Sequence, residues 1–315
     1  MRVIVTGGAG YIGGQTVLGL LDAGHSVLAI DRDLHHNPIQ DLAAKWLTGD
    51  FAGEVALSNI ATFKPDAIIH CAGTSLVGPS MTNPAEYYDN NFVKTKRLCD
   101  WLIQQKIKTR LIFSSSAATY GNPIMTPCKE VDPAEPISPY GESKLMIEWM
   151  LKSYQQAYGL DYVSFRYFNA CGADSQARHG QRPGATHIIA RVLESIRDSG
   201  HFTLNGTDFP TPDGTCVRDY VHVQDLAQAH IMACDSTIPA GVYNLGTNQG
   251  HSNQEIVAMA EQITGRQVDL RVDVARPGDP AMLTADAERF MSISTWRPQY
   301  ELKDMVSHAW TWYNR

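Results

Sequence analysis

The sequence predicts an open parallel sheet covered by helices on both faces, followed by a smaller C-terminal lobe of mixed α/β structure. Three observations carry that reading. Short apolar runs alternate with amphipathic stretches through the first half of the 315 residues, a glycine-rich turn follows the first run, and beyond about Asn169 the pattern shifts to shorter elements and loops rich in Gly, Pro and Asp.

The runs at 2–5, 26–30, 67–70, 110–113 and 162–165 read as strands, and the amphipathic segments between them as covering helices. Ser138 is a good helix cap and Pro139 suits the first helical position, so a helix starts there and runs to about Tyr158. In the second half, helices recur near 187–198, 224–235, 252–263 and 302–313, which makes this part a folded lobe. The expected division is 1–170 for the first domain and 171–315 mainly for the second, with some segments crossing back.

With 43% hydrophobic and 19% charged residues the chain can bury a sizeable core, and a formal net charge of −7 argues against nonspecific nucleic-acid binding. A local basic pocket for a phosphate-bearing small molecule stays compatible with it. Six scattered cysteines with no CxxC pair suggest reduced thiols. "RVIVTGG" at the start leaves no room for a signal peptide and no apolar run approaches membrane-spanning length, so a cytoplasmic location away from membranes is expected.

"TGGAGYIG", Thr6 to Gly13, places Gly7, Gly10 and Gly13 where a strand turns into a helix. Such a turn lets backbone approach a pyrophosphate at the helix N-terminus. Asp31, at the end of the second strand, suits the adenosine ribose hydroxyls and repels a 2′-phosphate, pointing to NAD over NADP although Arg32 follows it. "LIFSSSAATYG" sets Ser114, Ser115 and Ser116 at the carboxyl edge of the sheet, where open α/β sheets bind ligands. Tyr140 and Lys144, four apart in "SPYGESK", then share one face at the start of the next helix. A Tyr/Lys pair alone is common by chance; beside the serines it becomes a candidate Ser-Tyr-Lys site. His35 and His36, in a polar loop without further ligands, read as solvated residues, and no metal is expected.

These residues resemble the extended short-chain dehydrogenase/reductases and, within them, the UDP-glucose 4-epimerases. "VTGGAGYIG", "EYYDNN", "FSSSAATYG", "SPYGESKLMIE", "RYFNACGA", "PTPDGTCVRDYVHVQDLA", "YNLGT" and "RPGDPA" follow the family's order over nearly the whole chain. The resemblance implies a Rossmann-type NAD-binding domain, a UDP-sugar-binding lobe, a homodimer, and isomerisation at C4 of a UDP-hexose through a transient 4-keto sugar. Tyr140 would be the acid/base, supported by Lys144 and Ser116. A phenol with a pKa near 10 must come down by roughly three units to act at neutral pH, and Lys144 with the nicotinamide cation would supply that shift.

By the same resemblance, cofactor contacts fall to Gly7, Gly10, Tyr11, Ile12, Gly13, Asp31, Asp50, Phe51, Ala72, Gly73, Asn91, Ser114, Tyr140, Lys144 and Tyr167. Substrate contacts fall to Ser116, Tyr140, Asn169, His187, Ile188, Asn205, Arg218, Tyr220, Arg276, Asp279 and Leu283. Arg218 and Arg276 would meet the diphosphate, and Asp279 the uridine ribose. Related 4,6-dehydratases carry an acidic residue close after the catalytic hydroxyl; here Ser116 is followed by Ala117, Ala118 and Thr119, so elimination lacks its acid/base. Asn205, Asn253 and His187 depart from common family residues around the nucleobase and the adjoining turn. Alternatives are a 4-epimerase of another UDP-sugar (an N-acetylhexosamine, a pentose or a uronic acid) and a non-catalytic dinucleotide-binding regulator. The helices near 90–105 and 143–158 would pair across the dimer, with Leu98, Leu102, Leu145, Trp149 and Leu151 as apolar surface.

Overall fold

The computed structural model describes all residues except 36, 199 and 276–278. Strands are β1 (Arg2–Thr6), β2 (Ser26–Asp31), β3 (Lys45–Thr48), β4 (Ala67–His70), β5 (Arg110–Ser116), β6 (Tyr162–Tyr167), β7 (Asn169–Cys171), β8 (His201–Asn205), β9 (Val217–His222), β10 (Gly241–Leu245), β11 (Gly250–Ser252), β12 (Asp269–Asp273) and β13 (Met282–Leu283). Helices are α1 (Tyr11–Asp22), α2 (Glu54–Phe63), α3 (Val77–Thr82), α4 (Pro84–Tyr87), α5 (Lys94–Gln104), α6 (Pro139–Tyr158), α7 (Ile188–Arg197), α8 (Val223–Ala233), α9 (Asn253–Thr264), α10 (Glu288–Ile293) and α11 (Leu302–Tyr313). A π-helical turn, Tyr88–Val93, joins α4 to α5.

The main sheet has seven parallel strands in the order β10-β6-β5-β4-β1-β2-β3. This is a doubly wound sheet whose strand order reverses between β1 and β4, the crevice where such folds bind ligands. The alternation of side chains explains its two covers. Val3, Val5, Val27, Ala29 and Ile69 face a core completed by Val17, Leu18 and Leu20 of α1 and Leu226 and Ala229 of α8. Ile4, Leu28, Ile30 and Ile68 face the opposite core with Leu57 of α2, Leu98 of α5 and Ile147 of α6.

Five of these strands are the ones expected from the sequence. The added members are β3, a half-exposed edge, and β10, which comes from the second half of the chain to pair with β6. The remaining strands build a four-stranded sheet, in which β9 pairs with β7, β11 and β13, and a β8–β12 pair. A separate core joins Val192 and Leu193 of α7, Ile256 of α9 and Val306 of α11 to Phe202 and Tyr220.

One expectation about surface is corrected. Leu98, Leu102, Leu145 and Leu151 are all buried within the chain, the first two and Leu151 in the core against the sheet; of the five residues expected to offer apolar surface, only Trp149 is exposed, at 61%. Tyr158, on the same helix, and Val93, just before α5, are also exposed.

Candidate active site

The glycine turn shows why its residues are glycines. Gly7 has φ +71, and a Cβ there would lie 2.7 Å from the backbone nitrogen of Ala72; a Cβ on Gly13 would lie 2.0 Å from the Gly7 carbonyl oxygen. Strand, turn and helix are therefore packed backbone to backbone. α1 starts at Gly10 with no side-chain cap and no acidic residue in its first turn, so its open N–H groups fit a pyrophosphate. Asp31 accepts the Ala9 amide at 3.0 Å and stands at the end of β2 beside this turn. Tyr11 donates its hydroxyl to the Gly172 carbonyl at 2.6 Å, tying α1 to the chain after β7, and Ile12 packs against the α1-side core.

Around the neighbouring strand ends, Asp50 accepts from Lys94 at 2.7 Å and from the Ala52 amide at 3.0 Å; despite partial burial, these contacts hold its carboxyl below the usual range. Phe51 meets the His70 ring edge-on at 4.7 Å. Asn91 accepts the Thr74 amide at 2.8 Å and donates to the Thr74 carbonyl and to Ser143, so it pins the segment that begins with Ala72 and Gly73. The π-helical turn buries both Asn90 and Asn91, turning two successive amides toward the protein. These side chains, with the glycine turn, form a donor set that suits NAD.

Tyr140 lies in the first turn of α6, which Ser138 caps by accepting the Gly141 amide at 3.2 Å. Its side chain shares a hydrogen bond with Ser116, at the end of β5. Lys144, one turn on, donates to the Ser114 carbonyl at 2.8 Å and sits 5.8 Å from the Tyr140 ring centre. Burial brings the Lys144 ammonium down to about 8, with Cys71 and Glu148 acting the other way.

The expectation that the phenol comes down meets the opposite trend in the chain itself. Burial pushes Tyr140 up; the Ser116 hydrogen bond opposes this and Tyr87, packed edge-on at 6.4 Å, adds to it. Lys144 directs its ammonium at the Ser114 carbonyl, which holds its charge near the Tyr140 ring. Ser114 is also bound to Cys71, and its Oγ lies 2.6 Å from the Tyr167 hydroxyl, which lies 2.5 Å from His230 Nε2.

The second group of candidate residues gathers on the sheet around β9. Asn169 pairs in register with Tyr220, and Leu283 with Arg218, so directly paired side chains share a face. Tyr220 is buried; Arg218 and Leu283 are half-buried. Asn169 donates to the Asp219 carbonyl at 2.9 Å, and Arg218 lies 3.8 Å from Asp279. His187 precedes α7, which Ile188 opens, without a side-chain capping bond, and pairs with Gln181; Asn205 ends β8. Among the described residues, none of their hydrogen bonds leads to the Ser116–Tyr140–Lys144 group. Asn253 opens α9 and donates to Cys216 Sγ at 3.1 Å. Arg276 and His36 lie outside the described residues; His35 donates its amide to Asp33.

Sequence reading missed two buried partners of this site. His230, which comes from α8 and carries no local signal, meets the Tyr167 hydroxyl that also binds Ser114. Glu148 pairs with Arg166 beneath α6; a carboxylate four residues after Lys144, on the same apolar stripe, was the available sign.

A family model for Epimerase, the NAD dependent epimerase/dehydratase family, matches residues 3–246. The UDP-glucose 4-epimerase of Halalkalibacterium halodurans is 42% identical, covering 99% of this chain and 96% of that protein. Among solved structures, UDP-glucose 4-epimerase from Brucella ovis in complex with NAD superposes with a TM-score of 0.94 at 37% identity, covering 98% of this chain and 97% of that one. The enzyme from Bifidobacterium longum in complex with NAD+ and UDP gives 0.92 at 33% identity, covering 100% and 98%.

Proposed function

Because the chain belongs to the NAD dependent epimerase/dehydratase family, we propose that it is an NAD-dependent isomerase that interconverts UDP-glucose and UDP-galactose. The observation that carries this is the buried Tyr140, hydrogen-bonded to Ser116 with Lys144 one turn away, at the sheet edge beside an uncapped glycine-turn helix. With the cation of a bound nicotinamide ring and the Lys144 ammonium offsetting burial, Tyr140 would take the proton of the sugar 4-hydroxyl and later return it, while Ser116 holds the same oxygen. NAD, held at the Gly7–Gly13 turn with Asp31 beside it, would supply the hydride acceptor and donor for C4. The 4-keto sugar presents its other face between those events, so the stereocentre inverts with no net oxidation.

Epimerisation is favoured over dehydration by the turn after Ser116. Ala117, Ala118 and Thr119 carry no carboxyl, and the Thr119 hydroxyl is engaged with the Ser116 carbonyl at 2.8 Å. Arg218, with Asp279 nearby, is suited to the diphosphate end of the substrate, and Arg276 is proposed to join it on sequence grounds. A homodimer built through the exposed Trp149 face and a cytoplasmic location complete the reading. Among the described residues no helix is long and apolar enough to cross a membrane.

The test is purification without added cofactor, release of nucleotide by denaturation, and incubation of intact protein with UDP-galactose. Stoichiometric NAD and conversion to UDP-glucose are expected. NAD binding without turnover on any UDP-sugar would favour a regulator, and turnover confined to pentose, uronic or N-acetylated substrates would move the reading to those sugars.

A further inference from the structure

Beneath α6 lies a charged group that the proposed chemistry does not use. Glu148 and Arg166 are 4% and 5% exposed, and their side chains form a two-pronged ion pair: Nε to Oε1 at 3.0 Å and Nη2 to Oε2 at 2.6 Å. The same carboxylate accepts the Ser115 hydroxyl at 2.5 Å. Ser115 and Arg166 are partners in register across β5 and β6, so one helical carboxylate grips both strands of a cross-strand pair.

The position of that grip matters. Glu148 follows Lys144 by four residues and Tyr140 by eight, so the three occupy one stripe of α6. Ser115 is flanked by Ser114, whose carbonyl receives Lys144, and by Ser116, which bonds Tyr140. Arg166 precedes Tyr167, whose hydroxyl meets Ser114. Stability does not account for the pair, because replacing a buried ion pair by apolar residues of similar volume is often neutral or stabilising. Fixing register is the better-attested use of such a group. A helix shifted by one residue moves about 1.5 Å along its axis, and displacements near 1 Å cost about 100-fold in rate.

We propose that Glu148, held by Arg166 and Ser115, is a positioning residue that sets the register of α6 against β5 and β6 and so delivers Tyr140 to Ser116 and Lys144 to Ser114. The proposal rests on the functional reading above. It extends that reading from the reacting groups to the device that aligns them.

The test is the double variant Glu148→Leu/Arg166→Met, which removes both charges and keeps apolar volume. Its unfolding midpoint should equal or exceed that of the parent, while kcat for UDP-galactose falls by about 10-fold or more and KM stays within about threefold. A crystal structure of it should show Lys144 withdrawn from the Ser114 carbonyl. A folded double variant with kcat within about twofold of the parent overturns the proposal. Ser115→Ala, a neutral change, serves if the double variant does not fold: kcat should fall by about threefold or more at unchanged KM, and unchanged kcat counts against the clamp. If the parent converts no UDP-hexose, the functional reading fails separately. The crystal structure then judges the clamp alone, and a retained 2.8 Å contact from Lys144 to Ser114 refutes it.

Discussion

At the scale of single residues, Tyr140 combines burial with a hydrogen bond from Ser116, and burial alone keeps its proton on. Tyr140→Phe keeps the ring packed against Tyr87 and removes the proton acceptor. Turnover should fall by about 100-fold or more while NAD content on denaturation stays at the parent level; near-parent rates would remove Tyr140 from the chemistry. Leu283 is half-buried on β13 in register with Arg218, and we propose it as a gate to the 2-position of the sugar. Leucine is bulkier than serine and offers an acetamido group no hydrogen bond. Leu283→Ser should raise activity on UDP-N-acetylglucosamine and Leu283→Tyr should suppress it, with UDP-galactose turnover little changed in both. An unresponsive series would put the gate elsewhere. Tyr140 and Lys144 were legible because helix spacing is local, whereas His230 was not, since its meeting with Tyr167 depends on how α8 packs on the sheet.

At the scale of elements, α6 was readable at its start because Ser138 and Pro139 are strong local signals, and Gly159, at φ +69, ends it. The π-helical turn was not readable: "EYYDNN" registers as a motif, but its extra residue is selected by the burial of Asn90 and Asn91. β3 was missed because it is a half-exposed edge of four residues. β10 was missed because "GVYNL" lies far along the chain from the strand it joins. α1 illustrates an element set by one contact, the approach of Gly13 to the Gly7 carbonyl. Gly13→Ala should push α1 from the turn, lower the thermal midpoint and leave the purified protein largely without NAD. Full NAD content in that variant would show that the close packing is dispensable.

At the scale of the whole molecule, buried titratable groups give a defined pH response. Burial lowers His70 and His222 to about 3 and His179 and His230 to about 4, so the unfolded chain binds protons there that the folded protein does not. Their contribution is full above about pH 6.5 and is lost as pH falls from there toward 4. Asp219 and Asp225, raised to about 6 by burial, act oppositely because the folded form binds their protons first. The histidines prevail, so stability should fall by up to about 3 kcal/mol per pH unit between roughly pH 6 and 4. Urea midpoints at pH 7, 6 and 5 measure this, and a constant midpoint would contradict the buried neutral rings. The central claim, that one site removes and restores hydride at C4 of a UDP-hexose, is tested most directly with UDP-galactose deuterated at C4, incubated without added cofactor and followed by NMR and mass spectrometry. The account predicts UDP-glucose that keeps its deuterium at C4, with no free reduced cofactor. Loss of the label to water, or a 4-keto-6-deoxy sugar as product, would contradict it.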